Sequence, residues 1–376
     1  MKPRRHGRGR TALGAAAVSL TVALAACGTA DMAHENGGPS PGRSDRTDPT
    51  PTIGVLLPDT HTPRWETFDR PLIEKRIAEI CPGCGVEYAN AHGGVAQQKR
   101  QIESMITKGV DVLILDPVDS LALSSSIRRA DDAGIPVVSY DRLAEGPISG
   151  YVSFDGEDVG RLQAEGLLTA MGDKADGGQI VMMNGDPADP NSGSFEKGAL
   201  SVLKGRVKIG KAFDTTGWRP EIANVNMSGA IAALGAENID GVYAANDGLA
   251  AGVISSLKAN FVEPLPPVTG QDADLGAIQR IISGDQYMTV YKPFKPQAAA
   301  AAEMAVALGR GDPLDTIASH EASSGTVQGV PAVLLTPISV TAGTVRDTVV
   351  KDGMYTIDQI CTPKYASACA KAGLTV

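Results

Sequence analysis

The stretch Thr269–Pro293, TGQDADLGAIQRIISGDQYMTVYKP, continues an apolar strand-like run (Pro267, Val268, Thr269) and sets two carboxylates, Asp272 and Asp274, where that run gives way to a helix-like one. It closes on a second short apolar run ending at Lys292, held between Tyr291 and Pro293. Strand, helix and strand in that order form the unit of a parallel α/β sheet, and ligands of such sheets gather beyond the carboxyl ends of the strands. Asp272 and Lys292 each close a strand and can therefore reach one cleft.

The same rhythm extends in both directions. Strand-like runs at Ile53–Leu57, Val86–Ala89, Val110–Leu115 and Pro136–Tyr140 alternate with amphipathic helical runs, and a second series begins near Tyr151–Phe154 and continues through Ile180–Asn184, Val207–Phe213 and Gly241–Ala245. Their near-continuous Val, Ile and Leu content suits parallel strands covered on both faces. With 376 residues the chain exceeds one ordinary core. The expected fold class is therefore α/β, with two Rossmann-like doubly wound lobes. The first lobe is expected to comprise 52–153 plus 272–335, and the second 154–271 plus 336–376, with the crossing at Gln271–Asp272 lying between them.

Residues 1–26 carry a basic start (Lys2, Arg4, Arg5, Arg8, Arg10), no acid, and an apolar run that ends Leu24-Ala25-Ala26-Cys27. This reads as a secretion signal, too short for a comfortable transmembrane span. Its ending resembles a bacterial lipobox, so Cys27 is expected to carry a lipid. Residues 27–51 are rich in Gly, Pro, Ser, Thr and Asp and cannot bury enough to order themselves, which predicts a flexible tether. Loss of the leader takes the formal charge from −9 to −14, a balance that disfavours nucleic acid, whose binding depends on neutralising phosphates.

The other four cysteines, Cys81, Cys84, Cys361 and Cys369, make an even set. Outside the cell such a set favours disulfides. Four cysteines allow three pairings; pairing of neighbours, Cys81–Cys84 and Cys361–Cys369, is expected. Cys81-Pro82-Gly83-Cys84 also has redox-motif spacing, and His92 nearby invites a metal reading, but no second ligand pair stands at zinc spacing.

Polar residues recur just after the expected strands: Arg64 with Trp65, Asp141 with Arg142, Asp189 with Asn191, Asn246 with Asp247, then Asp272 and Lys292. Parallel strands aim such loops to one side, so two facing lobes would bring them into one crevice. The chemistry suits a sugar. An aspartate accepts from two hydroxyls, Arg and Lys donate to the same oxygens, and Asn does both. Trp65 and Trp218 offer flat faces for ring C–H groups. Asp274 reads as a helix cap, and Asp247 as cap or ligand. Enzymatic readings fare poorly: the histidines offer no obvious base for a nucleophile and no metal-ligand spacing, Asn191–Ser194 lacks the nucleophile-elbow context, and a glycosidase pair of Asp189 with Asp272 has no positive support.

These residues lie in longer matching segments. Arg64-Trp65, QIESMITKGVDVLILDP (101–117), Tyr140–Arg142, SFDGEDVG (153–160), Ala245–Asp247, TGQDADLGAIQRI (269–281), MTVYKP (288–293) and LLTPISV (334–340) are similar to segments of the D-xylose-binding proteins. These are the solute-binding components of ABC-type sugar importers, in the type I periplasmic-binding-protein family. The resemblance runs from about Thr52 to Gly353. It implies two lobes joined by three crossing segments and closing on a pyranose. The implied sugar contacts are Arg64, Trp65, Arg142, Asn191, Trp218, Asn246, Asp272 and Lys292, with Asp189 beside them. Gly156 and Pro190 depart from the family pattern, where Asn is usual. The resemblance implies a monomer without cofactor or metal, a monosaccharide ligand (D-xylose or a related aldose), and an ABC permease with its ATPase as partner. Combined with Cys27 it implies an anchor at the outer face of the cell membrane. Presentation of the liganded form to a sensor kinase or chemoreceptor is the alternative.

Overall fold

A computed structural model describes residues 49–375. The expected leader, Cys27 and nearly all of the tether lie outside the described residues. In chain order the first part runs β1 (Thr52–Leu57), α1 (Arg70–Ile80), β2 (Gly85–Asn90), α2 (Val95–Lys108), β3 (Val112–Leu115), α3 (Ser124–Asp132), β4 (Val137–Tyr140) and β5 (Gly150–Phe154). Then follow α4 (Gly156–Met171), β6 (Gln179–Met183), α5 (Pro190–Leu203), β7 (Lys208–Phe213), α6 (Pro220–Leu234), β8 (Gly241–Ala244), α7 (Asp247–Ala259), α8 (Leu275–Ser283) and β9 (Met288–Tyr291). The chain ends through α9 (Phe294–Arg310), β10 (His320–Ala322), β11 (Val330–Leu335), β12 (Ile338–Thr341), α10 (Ile357–Ile360) and α11 (Ala366–Lys371).

The first sheet has the order β10-β11-β5-β4-β3-β1-β2, parallel except for β10 at its edge. Strand β1 pairs with both β2 and β3, so connections leave it in opposite directions and a crevice opens beyond its carboxyl end. Ile53 and Val55–Leu57 are wholly buried, which explains why their sequence shows no polar alternation. The second sheet repeats the plan as β7-β6-β8. A parallel bridge from Val242 to Val268 extends it.

The stretch 269–293 proves to be a βαβ unit beside this second sheet, in which β9 also pairs antiparallel with β12 as a two-stranded sheet. Tyr287 N–H donates to Val268 O, Val290 N–H to Gly270 O, and Asp272 N–H to Val290 O, so residues 268–272 lie parallel to β9, with α8 as the crossover. Met288 and Val290 share a core with Ile180, Val181 and Val242. The expectation of a crossing at Gln271–Asp272, with β9 in the first lobe, is corrected: the hydrogen bonds run across that point, and the chain leaves this core after Lys292. From there α9 packs on the first sheet, with Ala298, Ala301 and Met304 beside Ile53, Ile114 and Val138. The other two passages fall after Phe154, where Asp155 N–H donates to Leu335 O, and between β11 and β12.

Neighbouring cysteines pair, Cys81 with Cys84 and Cys361 with Cys369. Cys81 caps the carboxyl end of α1 and is buried, where the helix dipole disfavours a thiolate, so the CPGC spacing serves as a staple. The tail packs Ile360, Cys369 and Leu374 against Ile278 and Ile282 of α8. No helix among the described residues is long and apolar enough to cross a membrane.

Helices α4 and α5 meet through glycines. A Cβ at Gly198 would lie 2.0 Å from Glu157 O, one at Gly160 1.9 Å from Phe195 O, and one at Gly156 2.8 Å from Ser194 Cβ. This close approach accounts for the departure at Gly156. Pro190 is equally at home: it opens α5 directly after the cap Asp189, where its missing N–H would have no helical partner. Gly198→Ala is expected to lower stability by about 1–3 kcal/mol, read as a lower thermal midpoint, because the clash is with backbone that cannot rotate away.

Candidate functional site

Beyond β1, the Asp59 carboxylate accepts from the N–H groups of His61 (2.8 Å) and Thr62 (2.9 Å), turning the chain toward Arg64 and Trp65. Arg64 is almost wholly buried. Its Nε and Nη2 donate to Asp69 at 3.0 and 2.8 Å, Nη2 also donates to Gln297 Oε1 at 2.8 Å, and Nη1 donates to Asp141 Oδ2 at 2.9 Å. The rings of Trp65 and Phe294 each lie 4.2 Å from the guanidinium carbon. Four of its five donors are thus committed, leaving one N–H of Nη1. Asp272 Oδ1 is 3.9 Å from that nitrogen.

Beyond β4 come Asp141 and Arg142. Burial alone would raise the Asp141 carboxyl, but Arg64, Lys292, Gln297 and Arg142 outweigh it and hold the group well below the usual carboxylate range. Arg142 Nη1 donates to Pro117 O at 3.1 Å, and Nε lies 2.8 Å from Asp189 Oδ2.

The second sheet supplies the other wall. Asp189 caps α5 by accepting from Asn191 N–H (2.9 Å) and also accepts from Trp218 Nε1 (3.1 Å). Asn191 Nδ2 donates to Asp141 Oδ1 and O, each at 3.2 Å. Trp218 is buried with its ring edge-on to Phe195 at 6.4 Å. Asn246 caps α7 through Oδ1 to Leu249 N–H (2.9 Å), which leaves its amide N–H groups for other partners. Asp272 and Lys292 end adjacent parallel strands, and Lys292 Nζ therefore sits 2.8 Å from Asp272 Oδ1.

All nine residues singled out from the sequence line one cavity. Thr62, Asp141, Phe195 and Gln271 line it too. Of these, Phe195 had a legible signal, lying four residues beyond Asn191 on one helical face. Asp69 and Gln297, which anchor Arg64 from helical segments far apart in the chain, had none. Four buried polar atoms of lining residues find no hydrogen-bond partner among the described residues: Trp65 Nε1, Arg142 Nε, Gln271 Oε1 and Asp272 Oδ1. Arg142 Nε and Asp272 Oδ1 have only their ion pairs. Buried polar atoms are nearly always bonded, so a site carrying both donors and acceptors in this condition is suited to a hydroxylated ligand.

Two further expectations are corrected. Asp274 stands at the cap position of α8, yet its side chain makes no capping bond. Asp247 is not the cap of α7: its buried carboxylate accepts from Gln286 Nε2 (2.8 Å), Thr289 Oγ1 (2.9 Å) and Asp274 N–H (3.0 Å). Its job is to tie β9 to the start of α8. Asp189 is engaged with Arg142 and Asp272 with Lys292.

Two α/β lobes meeting over a polar cavity beyond their strand ends are the build of a solute-binding protein. The comparisons agree: residues 53–313 match the family model described as a periplasmic binding protein domain, and the chain belongs to that family. It is 39% identical to the D-xylose-binding periplasmic protein of Escherichia coli K12 over 81% of this chain and 90% of that one. It is 32% identical to the multiple sugar-binding periplasmic receptor ChvE of Rhizobium radiobacter, over 82% and 92%. Among solved structures, an ABC transporter solute-binding protein from Clostridium phytofermentans with bound β-D-glucose superposes with a TM-score of 0.76, at 29% identity, over 82% of this chain and 99% of that one. These relatives are binding proteins and not enzymes.

Proposed function

We propose that this chain captures a monosaccharide, D-xylose or a related aldose, outside the cytoplasm and delivers it to the permease of an ABC importer. The observation that carries this reading is the cavity in which Trp65 Nε1, Gln271 Oε1 and Asp272 Oδ1 await hydrogen-bond partners between two tryptophan-bearing walls. The names of the relatives, D-xylose-binding and multiple sugar-binding, point the same way. Arg64, Trp65, Arg142, Asp189, Asn191, Trp218, Asn246, Asp272 and Lys292 are the proposed contacts. The proposed moving bodies are 52–154 with 293–335, and 155–292 with 336–375. Sugar would shift the population to the closed form by binding it better. The leader and Cys27 support a lipid anchor on the outer face of the membrane.

The test is a thermal-shift panel of pentoses and hexoses on the full chain. A ligand that binds only the folded form raises its stability by mass action, so D-xylose or a close aldose is expected to raise the midpoint. No shift with any aldose overturns the reading. The receptor role in the name of the Rhizobium radiobacter relative favours a second reading, presentation of the closed form to a membrane sensor. Capture of the liganded chain by a sensor's outer domain and not by a permease would decide for it.

A further inference from the structure

The buried Arg142 faces three carboxylates: Asp189 at 2.8 Å, Asp116 at 3.6 Å and Asp59 at 3.8 Å. The three are not equally provided for. Asp59 accepts from two backbone N–H groups, and Asp189 from one backbone N–H and the Trp218 indole. Asp116, directly after β3, is 0% exposed, and neither of its carboxylate oxygens has a hydrogen-bond partner among the described residues. Its main chain is held in place, since its backbone N–H donates to Leu56 O and its carbonyl accepts from Gln98 Nε2 at 2.7 Å. An ionised carboxylate in that setting carries a large desolvation cost, and a neutral carboxyl a much smaller one.

We propose that Asp116 is a positioning residue of the cleft that is neutral in the closed protein, supporting Arg142 from behind and taking up one proton as the lobes close on a sugar. The proton follows from which lobe supplies which charge. Asp116, Arg142, Asp141, Arg64 and Asp59 all belong to the first lobe, whereas Asp189 comes from the second. Closure brings Asp189 in and excludes water. Burial is the main influence raising the Asp116 carboxyl; Arg142 and Arg64 pull it down, Asp141 and Asp189 push it up, and the net result lies well above the ordinary carboxyl value. Opening removes the Asp189 charge and lets water approach, so the open form holds the proton less tightly. The sign is therefore fixed: the closed form binds more protons, and sugar affinity falls as pH rises through the raised value. Below the open-form value both forms are protonated and the dependence ends.

The inference rests on the reading that the cleft closes on a sugar. Its test is calorimetric titration of the full chain with D-xylose and with D-glucose, from acid to mildly alkaline pH, in buffers of different ionisation enthalpy. The parent is expected to take up close to one proton per sugar within the titrating window, with Kd weakening by up to about tenfold per pH unit. Asp116→Asn, the uncharged mimic, is expected to lose both the uptake and the slope. Asp247, which burial raises to about 7, is present in both proteins and cancels in their difference. Binding by the parent without proton uptake overturns the proposal even if the variant cannot be folded, and so does a slope that survives in Asp116→Asn. If neither sugar binds at any pH, the sugar-binding reading itself has failed and this inference goes with it.

Discussion

Asp272→Asn is expected to weaken sugar binding by at least about a hundredfold, and to lower the thermal midpoint as well. Asp272 Oδ1 holds Lys292 Nζ at 2.8 Å, stands 3.9 Å from Arg64 Nη1, and beyond these ion pairs has no hydrogen-bond partner among the described residues. Neutralising it leaves Lys292 buried without its counter-charge and removes the proposed acceptor for sugar hydroxyls. Breaking a buried pair by removing one partner costs about 3–5 kcal/mol of stability; the affinity loss comes from the sugar hydroxyls, whose hydrogen bonds to a charged acceptor are worth about 1.5–3 kcal/mol each, and each 1.4 kcal/mol is about tenfold in Kd. Asparagine is the substitution of choice because position 272 sits at φ 92°, in the left-handed region that Asn tolerates and most side chains do not. Titration calorimetry with D-xylose reads the result. A variant within about threefold of the parent would remove Asp272 from the binding constellation, whatever its contribution to the fold.

Trp218→Ala should come next, with binding weakened by about thirtyfold and unfolding brought forward. The ring does three things at once. It stacks edge-on against Phe195, its Nε1 donates to Asp189 at 3.1 Å, and it fills the space beside Gly185, where an added Cβ would lie 2.1 Å from the indole. Truncating a central aromatic anchor costs about 2 kcal/mol or more in affinity, and removing a buried Trp about 3–5 kcal/mol in stability. Trp218→Phe separates the contributions. It retains an aromatic face but loses the bond to Asp189, worth about 1 kcal/mol, and the outer ring atoms beside Gly185. If the alanine variant bound D-xylose as tightly as the parent, the stacking role would be lost; if the phenylalanine variant fell as far as alanine, an aromatic face alone would not suffice, and the indole N–H together with the outer ring would be the active part.

Much of this was legible in the chain itself. Arg64, Arg142, Asp272 and Lys292 could be picked out because each comes after a strand, and parallel strands direct the loops at their carboxyl ends to a common side. The residues that support them were not legible. Asp69 and Gln297 meet at Arg64 from distant parts of the chain, and both lie within helical segments, where nothing local marks them. Asp116 does follow a strand, yet nothing local distinguishes a carboxylate left without donors from one that has them. Asp247 shows the same limit in reverse: its position suggests a cap, while its actual partners are Gln286 and Thr289 on and beside β9.

Local sequence was enough to set the alternation of buried strands and covering helices and the strand-end placement of the polar residues, whereas it left three pairings open for the four cysteines. Alternation and placement rest on local period and chain direction. The core to which 272–292 belongs, the sharing of each cation among carboxylates, and the polar atoms left without partners were settled only by packing in three dimensions. The difference is one of range. Hydrophobic period acts over a turn of helix or a pair of strand residues, whereas burial and ion pairing depend on the charges and water displaced by every element that packs around a point. For the stretch 269–293 this means that its sequence announced two polar ends, and only the parallel pairing of 268–272 with β9 brought Asp272 and Lys292 to one spot at the mouth of the cleft.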